Sequence, residues 1–147
     1  MEASMVKAAI LALVAGASLA LATGAVAALT PADLLKGYEA SARQDASSFA
    51  GFSAERGRAF FQSTHGNDWS CASCHTRNPA ASGRHAKTSK TIAPLAPAAN
   101  PERFTSIAEV EKWFKRNCND VLGRACTAQE KGDVLAYLMH IAAGGGR

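Results

Sequence analysis

Two thiols and an imidazole stand within five consecutive residues, in the sequence Cys71-Ala72-Ser73-Cys74-His75. Two cysteines separated by two residues lie on one turn of chain, where both thiols can add to the vinyl groups of one porphyrin and form thioethers. The histidine that follows is then placed beneath the iron as its proximal ligand. This spacing predicts one covalent haem c, attached through Cys71 and Cys74, with His75 bound to the iron.

Two other chemistries use a C-x-x-C pair. A thioredoxin-like redox pair stands at the start of a helix in an α/β sheet, and the chain has no strand pattern that would build such a sheet. A zinc site needs further ligands, and the sequence contains no second C-x-x-C and no H-x3-H pair. Haem attachment is therefore the favoured interpretation.

An electron carrier of the common kind needs a strong second axial ligand, usually Met or His. Beyond His75, the chain after the first 28 residues offers Met139, His65, His85 and His140. Met139 and His140 belong to an apolar C-terminal segment, where core packing is the usual role, and His65 is expected at the surface. His85 is the credible histidine, and a simple electron-transfer cytochrome with His85 as permanent ligand is the alternative function.

The first 28 residues have the pattern of a secretory signal peptide. Lys7 precedes an apolar stretch over residues 8–22, and residues 25–28 form a small-x-small cleavage pattern. We expect residues 1–28 to be removed on export to the periplasm, and residues 29–147 to form one monohaem cytochrome c domain without membrane contact. A retained anchor is the alternative, because an apolar run of about 20 residues can just span a bilayer.

The charge of the chain is modestly basic. It has 16 Lys and Arg against 12 Asp and Glu, for a formal net charge of +4. Its cations are scattered without the interleaved aromatic residues of single-strand binders, so we expect no nucleic-acid partner. An acidic protein partner agrees with this charge.

Cys118 and Cys126 are the cysteines left over after haem attachment. Their spacing closes a small loop, and in an oxidising compartment we expect them to form a disulfide. By the loop-closure argument, this bond would stabilise the fold by about 2 to 3 kcal/mol. It would also stiffen the segment that carries Asn117.

The elements expected to position these groups are all α-helical. Helix starts are predicted at four capping residues, Thr30, Ser53, Ser106 and Thr127. The last two begin the capping-box patterns Ser106-Ile107-Ala108-Glu109 and Thr127-Ala128-Gln129-Glu130. The second helix should end near residue 62, the third near Asn117, and the last at the glycine run 144–146. The prediction is three to four short helices with no strand.

Residues 77–102 lack helical periodicity and contain four prolines. A loop of this length in a compact domain needs something to wrap, and a haem has the required apolar surface. Pro94 is a candidate to accept a hydrogen bond from the His75 ring. Candidates to pair with the propionates are Arg84, Lys87, Lys90 and Thr91.

Four stretches of the chain resemble the sphaeroides haem protein family, a group of oxygen-binding class I-like cytochromes. They are the attachment motif, the apolar run 92–97, the phrase Val-Glu-Lys-Trp-Phe at residues 110–114, and residues 116–126. Cytochrome c-double-prime, which has a labile histidine ligand and a comparable disulfide, is similar too. The resemblance covers nearly the whole chain after residue 28, and it implies a class I cytochrome c-like fold that wraps one covalent haem.

The resemblance also implies a second iron ligand. In this family, an asparagine immediately before the first disulfide cysteine is the distal ligand of ferric iron and leaves on reduction. That residue is Asn117 here; Asn119 is a close competitor that spacing does not separate from it. An open ferrous position would bind O2, NO or CO. The resemblance further implies electrons from a dihaem cytochrome c or another redox protein, with any nitric oxide or oxygen turnover left undefined.

Overall fold

The computed structural model describes residues 29–142. In chain order the elements are α1 (Pro31–Asp45), α2 (Ala54–Gln62), α3 (Cys71–His75), β1 (Gly83–Arg84), β2 (Thr91–Ile92), α4 (Ile107–Leu122) and α5 (Ala128–His140). The predominantly helical prediction is confirmed, and α3 adds one helix to the predicted three to four. The signal-peptide prediction and the glycine run at 144–146 lie outside the described residues. No helix of the described part is both long and apolar enough to cross a membrane.

The predicted capping residues begin the four longer helices. Each hydroxyl accepts a hydrogen bond from the backbone N–H three residues later; these caps are Thr30, Ser53, Ser106 and Thr127. The capping box is complete at Thr127, whereas at Ser106 only half of it forms. The Glu109 carboxylate instead pairs with Lys112, at 3.1 Å.

The core lies where α5 packs against α1 and α2. Phe61, Leu135 and Leu138 are almost completely buried there, at 0%, 0% and 1% exposure. Gly57 lets α2 approach α5 closely, because a Cβ at this position would overlap the backbone carbonyl of Asp133. The framework beside the haem-motif residues is therefore a tightly packed helical group in which α5 contacts both α1 and α2.

Asp133 is the buried acid of this framework, with 5% exposure. Its carboxylate accepts from the Ser53 N–H at 2.7 Å, from Arg56 through two nitrogens at 2.9 Å each, and from Gln129 at 3.1 Å. Burial of a carboxylate is tolerated when all its oxygens are bonded in this way. The bonds fix the start of α2 against α5.

Two helix ends differ from the sequence prediction. Helix α4 continues five residues past Asn117 to Leu122, and Gly123 ends it with a left-handed φ of 68°. Helix α5 ends at His140, with Ile141 as an extended cap residue packed on the core. Asn117 therefore lies within a helix and not at its end, because the glycine that can adopt the left-handed conformation comes later.

The proline-containing segment contains a short antiparallel hairpin that periodicity did not predict. Gly83 pairs with Ile92 and Arg84 with Thr91. The turn is closed by hydrogen bonds from the His85 N–H to the Lys90 carbonyl and from the Ser89 N–H to the His85 carbonyl, both 2.8 Å. Two-residue strands are too short to produce an alternating pattern, which explains the wrong prediction.

Candidate functional site

The five motif residues form a single turn of helix, α3. Ser70 and Ser73 make a reciprocal capping box at its start, in which the Ser70 N–H donates to the Ser73 hydroxyl at 3.0 Å and the Ser73 N–H donates to the Ser70 hydroxyl at 3.2 Å. Cys71 and Cys74 are free thiols, both half-buried. The local sequence therefore presents two unpaired thiols and one imidazole from one turn.

The His75 ring lies beside the core. Its centroid is 6.4 Å from that of Phe61, which in turn is 5.6 Å from the Tyr137 ring. Burial, with a further contribution from the positive charge of Arg103, lowers the pKa of His75 to about 4. The imidazole is thus neutral near pH 7 and keeps a nitrogen lone pair for a metal.

The hairpin packs directly on the motif. The Ala86 N–H donates to the Cys74 sulfur at 3.3 Å. A Cβ at Gly83 would overlap the Cys74 carbonyl oxygen, so glycine is required for this approach. Burial raises the pKa of Cys71 to about 11, so this thiol stays protonated and has little metal-binding character of its own.

The predicted support from Pro94 takes a different form. The Pro94 carbonyl accepts from the Asn100 side chain at 3.2 Å and from Arg103 Nε at 3.1 Å, and not from His75. Arg103 also donates to the Ala93 carbonyl at 3.0 Å. These bonds hold Arg103 near His75 and order the apolar run, which is a role for Arg103 that the sequence did not indicate.

The other histidines and the methionine occupy separate places. His65 Nε2 lies 2.9 Å from the Phe60 carbonyl and its ring packs on Phe60, so it is half-buried and not at the surface as expected. Met139 is 40% exposed, and His140 is exposed as well, so neither packs in the core as predicted. Their helix turns them outward because its buried side carries Leu135 and Leu138.

His85 lies in the hairpin turn. Its Nδ1 accepts hydrogen bonds from the backbone N–H groups of Lys87 and Thr88, at 3.2 and 3.3 Å. Because Nδ1 accepts, the proton of the neutral ring is on Nε2, which then has no lone pair to offer a metal. His85 therefore has a structural role in closing the turn.

A disulfide joins Cys118 and Cys126, as predicted, with a Cα–Cα distance of 5.6 Å. Both cysteines are buried, at 4% and 8% exposure. The bond connects α4 to the start of α5. Asn117 and Asn119 flank Cys118, and both are exposed.

The two asparagines lie on opposite flanks of α4, because residues two apart on a helix are separated by about 200°. Asn117 continues the stripe of Val110, Phe114 and Val121, at spacings of four, three and four residues. Asn119 instead lines a surface groove with Lys115, Arg116 and Ala125. Asn117 is thus the polar member of an otherwise apolar stripe.

Comparison with known proteins gives consistent matches. A family model described as a domain of unknown function, DUF1924, matches residues 47–138. Cytochrome c-type protein SHP of Cereibacter sphaeroides is 50% identical over 113 residues, which cover 74% of this chain and 82% of the relative. Cytochrome c'' of Methylophilus methylotrophus is 48% identical over 79 residues, covering 54% of this chain and 55% of the relative.

This chain belongs to the SHP and cytochrome c'' family. The solved structure of oxidised SHP, an oxygen-binding cytochrome c, has 49% identity, covers 76% of this chain and 97% of its own, and superimposes with a TM-score of 0.67. Oxidised cytochrome c'' of M. methylotrophus, at 38% identity, covers 75% of this chain and 93% of its own with a TM-score of 0.67.

Membership in the SHP and cytochrome c'' family makes this protein a c-type cytochrome with one covalent haem c. The predicted class I-like helical fold is confirmed. The residues present fit the cofactor, because α3 offers two free thiols and a neutral imidazole beside the apolar Phe61 ring.

Proposed function

We propose that Cys71 and Cys74 bind the haem as thioethers, that His75 is the proximal iron ligand, and that Asn117 is the distal ligand of the ferric protein. Asn117 would be released on reduction, which would leave the iron open to O2, NO or CO. When bound, the haem would supply a one-electron iron centre held by these residues. The observation that carries the proposal is the place of Asn117 in the apolar stripe of α4, next to a disulfide-bonded cysteine.

The side chain of Asn117 is suited to a reversible contact. In the part of the chain that the structure describes, its side chain is exposed and no side-chain hydrogen bond involves its amide, so its movement breaks none. An amide oxygen is a neutral donor that is attracted more strongly by a trivalent than by a divalent ion, since the attraction scales with charge. Reduction therefore favours its release.

The alternative of a simple electron carrier requires a permanent second ligand. His85 is the histidine proposed for it, yet ligation through Nε2 would need the ring proton to move to Nδ1. That move would remove the acceptor of the Lys87 and Thr88 N–H groups. The cost of two lost hydrogen bonds supports Asn117 over His85.

Gas binding also agrees with the relatives, since SHP is described as an oxygen-binding cytochrome c. We place the mature protein in the periplasm on the leader pattern of residues 1–28. Its electrons come from a dihaem cytochrome c or another redox protein. We propose electron transfer and gas binding for this protein, without a defined catalytic reaction.

The test is a set of absorption spectra of the full-length protein matured with a haem-attachment system. Spectra are recorded oxidised, reduced with dithionite, and reduced under CO. The proposal expects CO to shift the Soret band of the reduced protein. A low-spin ferrous spectrum that CO leaves unchanged would show a permanent second ligand and reject the proposal.

A further inference from the structure

Two aromatic residues precede Asn117 by one turn of α4, Phe114 by three residues and Trp113 by four. Residues three and four apart are neighbours on a helix surface, with about 5 to 6 Å between their Cβ atoms. Helical side chains also lean toward the N-terminus, so the Asn117 amide extends over the turn that carries both rings. A gas bound in place of this amide would therefore lie close to Trp113 and Phe114.

Phe114 is engaged by the core. Its ring meets the Tyr38 ring edge-on, with centroids 6.1 Å apart, and Lys131 Nζ lies 5.9 Å from its centroid. The side chain is half-buried and packs against the core residues. Phe114 thus supplies apolar surface next to Asn117, but it has no polar atom to offer a bound gas.

Trp113 is the polar one of the two aromatic residues. Its side chain is 45% exposed and lies outside the core cluster. Within residues 29–142, its indole N–H donates no hydrogen bond. This group can act only as a donor. The turn before Asn117 therefore presents one unused hydrogen-bond donor.

Two cations hold the Trp113 ring. The guanidinium carbon of Arg116 is 5.1 Å from the ring centroid, and Lys112 Nζ is 5.7 Å from it. A cation is attracted to the π face of an indole, and it withdraws electron density from the ring, which makes the N–H a stronger donor. A ring that is already held also loses less conformational entropy when it binds a ligand.

The gases of the proposed site respond differently to such a donor. O2 draws electron density from ferrous iron when it binds, which makes its outer oxygen a good hydrogen-bond acceptor. CO stays nearly neutral and accepts only weakly. Hydrogen-bond donors in a distal pocket therefore strengthen the binding of O2 relative to that of CO.

We propose that Trp113 sets the gas specificity of the distal site, because its indole N–H donates a hydrogen bond to bound O2. The inference rests on the proposed place of Asn117 as distal ligand. It deepens that function by naming the side chain that favours O2 over CO. Trp113 makes no bond to the iron and takes part in no electron or proton transfer.

The test is laser photolysis of the CO complex of the reduced full-length holoprotein, in buffers that contain both CO and O2. These traces give the dissociation rate constant of each gas. Trp113→Phe keeps an aromatic ring and removes the N–H donor. We expect O2 to dissociate about tenfold faster from this variant, because one hydrogen bond to a strongly polar acceptor is lost. CO should dissociate within about twofold of the wild-type rate.

The infrared stretch of bound CO is a second readout, and it does not depend on rates. A nearby donor lowers the C–O stretching frequency, so the band should move to higher wavenumber in Trp113→Phe. The matched control is Trp69→Phe, which changes the other tryptophan of the chain, before α3. This control should leave both dissociation rates and the CO band as in wild type.

Three results would overturn the role of Trp113. A ring that only fills space predicts equally faster dissociation of both gases with an unmoved CO band. An unchanged O2 rate in Trp113→Phe would show that the N–H does not reach the gas, and the same changes in Trp69→Phe would show that the effect is not local. Failure of the proposed function is read separately, since the spectrum of reduced wild-type protein would then not respond to CO.

Discussion

The motif helix α3 and the distal part of α4 are attached to the molecule in different ways. Helix α3 packs on α2 and on β1, with Gly83 so near Cys74 that no side chain fits between. The part of α4 around Asn117 is held by the buried side chains of Cys118 and Val121. It is also held by the disulfide at Cys118 and by a hydrogen bond from the Asn67 side chain to the Val121 carbonyl, at 2.9 Å.

The first half of α4 is anchored by a polar cluster. Glu111 accepts from the Tyr38 hydroxyl and from Lys131 Nζ, each at 2.6 Å, which joins α4 to α1 and α5. Asn117 thus lies between two fixed points of α4, the Glu111 cluster and the disulfide. The difference teaches that the proposed proximal ligand, His75, is fixed by packing, whereas the side chain of the proposed distal ligand, Asn117, is exposed to solvent.

The largest expected effect is the loss of covalent haem, and it should distinguish the Cys71/Cys74 pair from the Cys118/Cys126 pair. In a Cys71→Ala/Cys74→Ala variant, no thioether can form, so covalent haem should be lost completely. The measurement is haem staining of the denatured protein after electrophoresis. The matched Cys118→Ala/Cys126→Ala variant should keep its stain, and a stained Cys71→Ala/Cys74→Ala band would refute the attachment site.

Removal of the disulfide should have the next largest effect. The bond closes a loop with a sequence separation of 8, and the loss of this constraint on the unfolded chain costs about 2 to 3 kcal/mol. Denaturant unfolding of Cys118→Ala/Cys126→Ala against wild type measures the change. A loss below about 1 kcal/mol would mean that other contacts hold α4 and would weaken the comparison.

A substitution that adds one methyl group at Gly83 tests the tight packing at α3. Gly83→Ala should lower the free energy of unfolding by about 1 to 3 kcal/mol, because its Cβ would overlap the Cys74 carbonyl. Gly37→Ala is the control, since that helical glycine has nothing within 4 Å of an added Cβ. It should raise stability by about 0.5 to 1 kcal/mol. Equal effects at the two glycines would show that α3 is not closely packed.

Loss of the Glu111 carboxylate should have the smallest effect on the stability of the fold, and this effect should depend on pH. Burial raises the pKa of Glu111, but hydrogen bonds from Lys131 and Tyr38 outweigh it, so the pKa lies below the ordinary value of 4.5. Because the pKa of Glu111 is lower in the folded protein, its ionised carboxylate stabilises the fold above the ordinary pKa. This stabilisation is lost as the pH falls through the lowered pKa. Thermal unfolding from pH 6 to 3 should show a smaller decline in Glu111→Gln than in wild type. An equal decline in the melting temperatures of both proteins would show that the Glu111 carboxylate does not stabilise the fold.

Much of the fold was predictable because its signals are local. Each of the four longer helices begins at a Ser or Thr that caps it, and the attachment motif is contiguous. The hairpin was not predictable, since its approach to Cys74 depends on tertiary packing around Gly83. The end of α4 was predicted too early because the left-handed residue that stops it, Gly123, lies beyond the apolar periodicity.

The choice of Asn117 as the proposed distal ligand could not be made from the sequence alone. Spacing left Asn117 and Asn119 equivalent, and only the continuation of α4 through both places Asn117 on the apolar stripe. The spacing of residues 110, 114, 117 and 121 already matched one face of a helix. It indicates a shared face only if the helix continues past Asn117. The argument against His85 as a ligand needed the turn geometry around its Nδ1.

The central claim is tested most directly by the ferric and ferrous spectra of Asn117→Ala beside Asn119→Ala. Both residues are exposed and lie on one helix, so loss of either amide should leave the fold intact. The account predicts that Asn117→Ala changes the ferric spectrum and leaves the ferrous spectrum as in wild type, while Asn119→Ala changes neither. A ferric change in Asn119→Ala with none in Asn117→Ala would contradict it.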